Sequence, residues 1–383
     1  MFKLRNQNVD AKHYQNTLKE ISHQPEKWKI AFENYNKYSQ EIDDFLKSIE
    51  DSSEEKVRVV FTGAGTSEYV GNIIADYLGK NDRFRFESIA TTDIVSSPYI
   101  HLNNEPTLLV SFARSGNSPE SLAAVKLADK LIDNIHHLAI TCSPEGKLAQ
   151  QLGTRDDSYV LLMPEGTNDK GFAMTSSFSS MMLSSLLIFD TLSDEEKKTR
   201  VEYITKQADY VLSQEDRINE LGDFEFDRII YLGSGPLYGL TNECRLKILE
   251  LTAGNISSMY ESSLGFRHGP KSYVDDKTFI VGLVSNNDYT RQYDLDILNE
   301  IHGDNIARKI LALSPKKLDV EFEQFVIDTP ENIEDVYIAL VYVIIAQLFS
   351  VMASVYVGNE TDTPSKTGTV NRVVKGVTIH EYK

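Results

Sequence analysis

The chain contains one local pattern twice: an apolar strand runs into a glycine turn, and an amphipathic helix follows. The first copy spans residues 59–67 and the second spans residues 229–236, with turn glycines at Gly63 and Gly233. A repeat of this length predicts two copies of one α/β unit. Because open α/β sheets bind ligands at the carboxyl ends of their strands, ligand sites are expected close to these turns.

Apolar strand patterns alternate with helical patterns in both halves, which predicts parallel sheets joined by right-handed crossovers. The predicted strands of the first half are 58–62, 84–90, 107–112, 137–141 and 159–163. The predicted strands of the second half are 228–232, 256–260, 278–284, 309–313 and 325–327. The predicted helices between and after them are 69–78, 119–131, 147–152, 175–192, 239–251, 293–302 and 334–355.

Three domains are expected along the chain. A polar helical arm covers residues 1–50 and is broken at Pro25, because proline interrupts a helix interior. The first α/β domain covers 51–212 and ends in a charged helical connector. The second covers 213–383 and ends in an apolar, β-branched tail that is expected to be ordered. The fold class is therefore α/β and doubly wound, with a flavodoxin-like parallel sheet in each of two tandem domains.

Charge and composition limit the partners of the protein. The formal net charge of −18 disfavours nucleic acid and anionic membranes, because the chain presents no general basic field to attract them. The longest apolar run, 336–357, is interrupted by polar residues and is expected to be a buried helix. Only Cys142 and Cys244 are present, and no His/Cys/carboxylate cluster has metal-ligand spacing. We therefore expect a cytoplasmic protein without a metal or other cofactor.

Two hydroxyl-rich turns are candidates for binding a phosphate. Residues 111–118 surround Gly116 with polar side chains and precede Pro119, a residue suited to a first helical position. Free amides at a helix start, together with hydroxyl donors, bind a dianion without a lysine. The first glycine turn adds Thr66 and Ser67. The alternative for both turns is ordinary helix capping.

Proton-transfer candidates lie in the second half. Lys247 and Glu250 are three positions apart and share one face of a predicted helix, which is also the pattern of a simple surface ion pair. His268 lies in a loop between Arg267 and Gly269, and its imidazole can exchange a proton near neutral pH. A loop histidine is also compatible with a structural or solvated role.

Taken together, these motifs resemble the sugar isomerase (SIS) domain family over nearly the whole chain. The arrangement is similar to the tandem SIS domains in the isomerase half of glucosamine-fructose-6-phosphate aminotransferase, and closer to AgaS-type galactosamine-6-phosphate deaminases. The motifs that carry the resemblance are 63–67, 111–118, 173–178 and 261–270. The chain departs from the aminotransferase pattern at Ala113, where those relatives have serine, and at Ser118, where they have threonine.

The resemblance implies roles for specific residues. It implies that the sugar phosphate is bound by Ser67, Ser115 and Ser118, and we expect Thr66 in the first turn to add a donor. Ser111 or Arg114 is expected to compensate for the departures at Ala113 and Ser118. Glu250, on the helix that also carries Lys247, would transfer the proton between two carbons of the open sugar. His268 would open the sugar ring, and Lys375, in the C-terminal active-site tail, would lie over the sugar and can form an imine with a ketose. In the relatives the imidazole comes from a neighbouring subunit, so a homodimer or higher homo-oligomer with shared active sites is expected.

The expected activity is isomerising deamination of galactosamine 6-phosphate to tagatose 6-phosphate and ammonium. An aminotransferase is not expected, because no glutaminase domain with an N-terminal cysteine precedes the SIS domains. Aldose–ketose isomerisation of a hexose 6-phosphate is the alternative reaction. A sugar-phosphate-binding regulator without catalytic activity is the alternative from another class. Retention of Glu250, His268 and Lys375 together counts against it.

Overall fold

The computed structural model describes residues 9–374 and 376–383. The described residues form two compact units, each built from segments that are discontinuous along the chain. The first-sheet unit contains Glu26–Asp169, Ser176–Lys198 and Gly368–Lys383. The second-sheet unit contains residues 9–25, Lys170–Thr175 and Thr199–Thr367. The boundaries expected at 50 and 212, between the helical arm and the two α/β domains, remain predictions.

The N-terminal segment is helical, as predicted. A short 3₁₀ turn, Ala11–His13, precedes α1 (Gln15–Ser22) and α2 (Gln24–Glu50). Pro25 lies in the first turn of α2, where its missing N–H has no intrahelical partner to lose. The arm is therefore divided into two helices as predicted, but the break lies at His23 and not at Pro25.

The first-sheet unit is built on five parallel strands. Its elements in chain order are β1 (Arg58–Thr62), α3 (Thr66–Leu78), β2 (Arg85–Ser88), α4 (Thr91–Ser96), α5 (Pro98–His101), β3 (Thr107–Ala113), α6 (Pro119–Leu131), β4 (Ile135–Thr141), α7 (Lys147–Leu152), β5 (Ser158–Leu162) and α8 (Ser176–Phe189). The strand order is β2-β1-β3-β4-β5. α8 is buried along its whole length, and Trp28 donates a hydrogen bond to its Ser179.

The second-sheet unit repeats this topology. Its elements follow the connecting helix α9 (Asp194–Ser213) and are α10 (Glu215–Gly222), β6 (Arg228–Gly233), α11 (Pro236–Leu251), β7 (Ser257–Ser262), β8 (Thr278–Leu283), α12 (Asp288–Asp304), β9 (Lys309–Ser314), β10 (Glu323–Val326) and α13 (Asp335–Tyr356). The order β10-β9-β8-β6-β7 is the order of the first sheet written from the other edge. The predicted pair of parallel, flavodoxin-like sheets is confirmed.

The backbone of the two glycine turns also repeats. Gly65 precedes α3 with φ 56° and ψ −128°, and Gly235 precedes α11 with φ 54° and ψ −132°. These dihedrals belong to a region that only glycine adopts without strain. A Cβ on Gly63 would lie 2.5 Å from the backbone carbonyl carbon of Ser67, which is a steric clash. The first turn therefore needs Gly65 for its backbone dihedrals and Gly63 for lack of space.

The core of the second-sheet unit explains the longest apolar run. α13 is long and apolar enough to span a membrane, with a mean hydropathy of 2.3, but its apolar window is entirely buried inside the protein. It packs mainly against α11. The prediction of a buried helix in this run is therefore confirmed.

Candidate active site

The first glycine turn places two hydroxyl side chains at the start of α3. Thr66 and Ser67 are the first two residues of this helix, and both are buried. The Ser67 amide donates to the Ala64 carbonyl at 3.3 Å and the Glu68 amide to the Gly65 carbonyl at 2.9 Å. These bonds tighten the turn, and the helix dipole adds a partial positive charge at the same point.

The second hydroxyl-rich turn follows β3, the strand next to β1. Gly116 has φ 66°, which lets the chain reverse before α6. The Asn117 amide nitrogens contact the hydroxyl and the carbonyl of Ser115 at 3.4 and 3.1 Å. The Ser118 hydroxyl lies 2.8 Å from the Ser121 hydroxyl and does not cap α6. The two turns thus lie at the carboxyl ends of adjacent strands, where parallel sheets bind ligands.

Two buried hydroxyls lie side by side at these strand ends. Thr62 and Ser111 are register partners on β1 and β3, with relative exposures of 1% and 2%. Within the described residues, neither hydroxyl has a hydrogen-bond partner. Buried polar groups are normally satisfied, so this pair suits a ligand oxygen or an ordered water. Thr62 was not predicted from the sequence. The available signal was its place at the end of the predicted strand 58–62, next to the glycine turn.

The C-terminal segment is bound to the first-sheet unit by two arginines. Arg114 donates to the Arg372 carbonyl at 2.6 Å. Arg372 in turn donates to the Asp169 carbonyl at 2.8 Å and to the Asn168 side chain at 2.8 Å. Asp169 is fully buried and caps α8 through the amides of its first two residues. Arg114, which is predicted to bind phosphate, therefore also holds the C-terminal segment in place. Lys375, the predicted imine-forming residue, lies outside the described residues.

In the second-sheet unit, α11 carries a cluster of three charged side chains. The Lys247 ammonium lies 2.7 Å from a Glu250 carboxylate oxygen and 3.4 Å from a Glu243 carboxylate oxygen. Lys247 and Glu243 are fully buried, whereas the Glu250 side chain is 25% exposed. The predicted pair on one helix face is thus present, but it is not a surface ion pair. Glu243 was missed by sequence reasoning, although it is four positions before Lys247.

His268 lies in the loop between β7 and β8, and its side chain is exposed. Its amide donates to the Gly265 carbonyl at 2.8 Å and closes the 3₁₀ turn Gly265–Arg267. Arg267 is bound to Glu300 at 2.6 Å, which fixes the loop beside α12. The histidine is therefore presented on an anchored loop.

Neither cysteine is disposed to act as a nucleophile. Burial raises the pKa of the Cys142 thiol to about 12 and the pKa of the Cys244 thiol well above its ordinary value. Both thiols are therefore protonated near neutral pH. Within the described part of the chain, no group of three or more His, Cys, Asp or Glu side chains is arranged to hold a metal ion.

Comparison with known proteins agrees with the duplicated fold and with the motifs. The SIS domain profile matches residues 53–190 and 224–357, one match on each sheet. The chain belongs to the SIS domain family. It is 41% identical over 380 residues to the D-galactosamine-6-phosphate deaminase AgaS of Escherichia coli O157:H7, covering 96% of each protein. It is 39% identical to the protein of that name from Shewanella sp. (strain ANA-3), covering 96% of this chain and 92% of the relative.

A solved structure extends this likeness to three dimensions. The tagatose-6-phosphate ketose/aldose isomerase from Escherichia coli superposes with a TM-score of 0.88 and is 38% identical, and the match covers all of both chains. The predicted SIS resemblance and fold are therefore confirmed. The roles of the individual site residues remain predictions.

Proposed function

We propose that this SIS domain protein catalyses the isomerising deamination of D-galactosamine 6-phosphate to D-tagatose 6-phosphate and ammonium. The observation that carries the proposal is the contact between buried Lys247 and partly exposed Glu250, found in a chain 41% identical to named deaminases. The Glu250 carboxylate lies beside the Lys247 ammonium, and its exposed edge is placed to accept a proton from a substrate.

Phosphate binding is assigned to the first-sheet unit. Thr66, Ser67, Ser115 and Ser118 supply hydroxyl and amide donors at two helix starts, and Ser111 supplies a buried hydroxyl. Arg114 supplies the fixed positive charge. Binding energy from the phosphate would hold the reacting carbons in place without itself taking part in the reaction.

Proton transfer is assigned to Glu250 and His268. His268 opens the sugar ring by moving a proton between the ring oxygen and the anomeric hydroxyl. Glu250 then removes the C2 proton, and the two electrons of that bond form a C1–C2 double bond as the aldehyde oxygen takes up a proton. Returning the proton to C1 leaves an imine at C2. Water adds to this imine, the C–N bond breaks, and the nitrogen leaves as ammonium.

The proposal is tested with purified protein and galactosamine 6-phosphate. Equal molar amounts of ammonium and tagatose 6-phosphate are expected, and glucosamine 6-phosphate is the epimeric control. Release of neither product from galactosamine 6-phosphate would reject the deaminase.

Aldose–ketose isomerisation of a hexose 6-phosphate is the second candidate, favoured by the likeness to the E. coli isomerase structure. It uses the same proton transfer without hydrolysis of an imine. Ketose formation from galactose 6-phosphate, with no ammonium from the amino sugar, would select it. A non-catalytic regulator would bind the sugar phosphate without converting either substrate.

Assembly and location complete the proposal. We propose a homodimer or higher homo-oligomer with shared active sites, supported by the exposure of His268 and of Leu264 in the same loop. We also propose a cytoplasmic location, supported by two free cysteines, and a hydrolase acting on a C–N bond.

A further inference from the structure

A buried carboxylate lies at the carboxyl end of the second sheet. Asp294, on α12, is 2% exposed. One of its oxygens accepts hydrogen bonds from the Ser234 and Ser263 hydroxyls at 2.6 and 2.5 Å, and the other accepts one from the Ser285 amide at 3.0 Å. Three donors from three loops thus converge on one anion.

These three donors follow the strands that correspond to the ligand-binding edge of the first sheet. Ser234 lies in the glycine turn after β6, and Ser285 follows β8, the neighbouring strand. In the first sheet the same two positions, after β1 and β3, carry the turns assigned to the phosphate. Ser263 comes directly after β7, and its amide donates to the Gly233 carbonyl at 3.0 Å. The two repeats therefore present donors at equivalent edges.

Among the described residues, the Asp294 carboxylate is bound by dipoles and has no paired cation. Arg291, the neighbouring guanidinium, donates to the carbonyls of Ser285 and Asn286 and pairs with Asp288. Asp335, which is half-buried, is bound by the Ser285 hydroxyl and the Asn286 amide. Burial raises the pKa of Asp294, although the three hydrogen bonds oppose that rise. Hydroxyl and amide donors without a direct cation are typical of an oxyanion cradle.

We propose that the Asp294 side chain fills an oxyanion cradle in the second repeat, and that removing its carboxylate opens this cradle to a small oxyanion such as formate. In the wild-type chain the substrate phosphate would then bind at the turns of the first repeat, because Asp294 occupies the equivalent position in the second. That last consequence rests on the proposed function, whereas the occupancy of the cradle by Asp294 rests on the hydrogen bonds alone.

Chemical rescue tests the proposal. The thermal midpoint of the full-length Asp294→Ala variant is measured in about 100 mM sodium formate and in sodium chloride of equal ionic strength. If formate binds the opened cradle with millimolar affinity, its midpoint rises by about 2–4 °C over the chloride value. Wild type and Asp294→Asn are the matched controls, because both keep the cradle filled, and neither should respond. Adding Ser263→Ala to Asp294→Ala should remove the response.

An equal response to formate and chloride in Asp294→Ala would overturn the proposal, as would a formate response of the same size in wild type. If the alanine variant does not fold in chloride, refolding in formate is the readout, and Asp294→Gly with acetate is the second variant. Failure of both anions to restore either variant would also overturn it. If the wild-type chain releases no ammonium but the Asp294→Ala variant is rescued by formate, the proposed reaction is rejected and the proposed oxyanion cradle is supported.

Discussion

The Lys247 ammonium and the Glu250 carboxylate are 2.7 Å apart on one face of α11, and the lysine is fully buried while the glutamate reaches solvent. An exposed pair at this spacing would contribute little to stability. Here the ammonium is also 3.4 Å from the fully buried Glu243 carboxylate. One cation therefore serves two carboxylates, and only Glu250 is placed to meet a ligand from outside the helix packing.

Replacing Glu250 with glutamine should abolish turnover while leaving sugar-phosphate binding intact. Glutamine keeps the size of the side chain but cannot accept the C2 proton, so kcat should fall about 10²–10⁴-fold. Steady-state ammonium release and calorimetric binding of the substrate measure the two effects. Glu321→Gln is the control, because the Glu321 side chain is 90% exposed. Turnover within about twofold of wild type would remove Glu250 as the base.

Replacing Lys247 with methionine should destabilise the second-sheet unit. The change leaves the buried Glu243 carboxylate without its ammonium, which costs about 3–5 kcal/mol of unfolding free energy. Adding Glu243→Gln should recover part of that loss, by about 1 kcal/mol or more, because the two side chains are coupled. Urea unfolding gives all three values.

Lys277→Met is the matched control for this lysine. Its ammonium pairs with Asp227 at 3.3 Å, but its side chain is 63% exposed. A loss within about 0.5 kcal/mol is expected. If Lys247→Met lowers the unfolding free energy no more than Lys277→Met does, the buried cluster does not stabilise the fold.

Removing hydroxyls from the turn after β3 should weaken binding of the phosphate. Ser115→Ala and Ser118→Ala should each raise KM about tenfold, because a hydrogen bond to a charged group is lost, with less effect on kcat. Ser96→Ala, on an exposed part of α4, should change neither constant. Galactosamine without its phosphate provides the second comparison. If the variants are impaired equally on both sugars, these serines do not contact the phosphate.

Mixing two inactive variants should restore activity if active sites are shared between subunits. A dimer of one Glu250→Gln chain and one His268→Ala chain would contain one site with both native residues. After random re-association of equal amounts, about one quarter of wild-type activity is expected. Each variant refolded alone is the control. No recovery, together with mass evidence of mixed dimers, would place both residues in the same chain's site.

Most strands could be predicted from the sequence because each is a short apolar run that ends at a turn residue. β1 begins and ends where expected, and α6 and α7 are also at their predicted bounds. The largest differences are at helix starts. α12 begins at Asp288 rather than at 293, because Asn287 caps it by accepting from the amides of Tyr289 and Thr290.

The contacts that the sequence did not predict join distant positions. Arg372 donates to the carbonyl of Asp169, and Asp294 accepts hydrogen bonds from the Ser234 and Ser263 hydroxyls, which lie in separate loops. Neither set has a period or a local motif, since each depends on how the sheets bring loops together. Glu243 was missed for another reason: a glutamate on a helix is usually solvent-exposed, and its burial depends on the tertiary packing of α11.

Acid should remove a stabilising interaction at Asp129 in the first-sheet unit. Burial raises the pKa of this carboxyl, but hydrogen bonds from His137 at 2.9 Å and from Arg155 at 2.8 Å outweigh burial and hold the pKa below its ordinary value of 3.8. A lowered pKa stabilises the fold above pH 3.8, and this contribution is lost as the pH falls further.

Asp129→Asn should therefore lower the unfolding free energy by about 1–3 kcal/mol at pH 7 and by less at pH 2.5. Urea unfolding at both pH values measures the difference. Arg155→Met should show the same convergence toward wild type in acid, because it removes one of the two hydrogen-bond partners of Asp129. A loss of equal size at both pH values would mean that ionised Asp129 does not contribute to stability through these bonds.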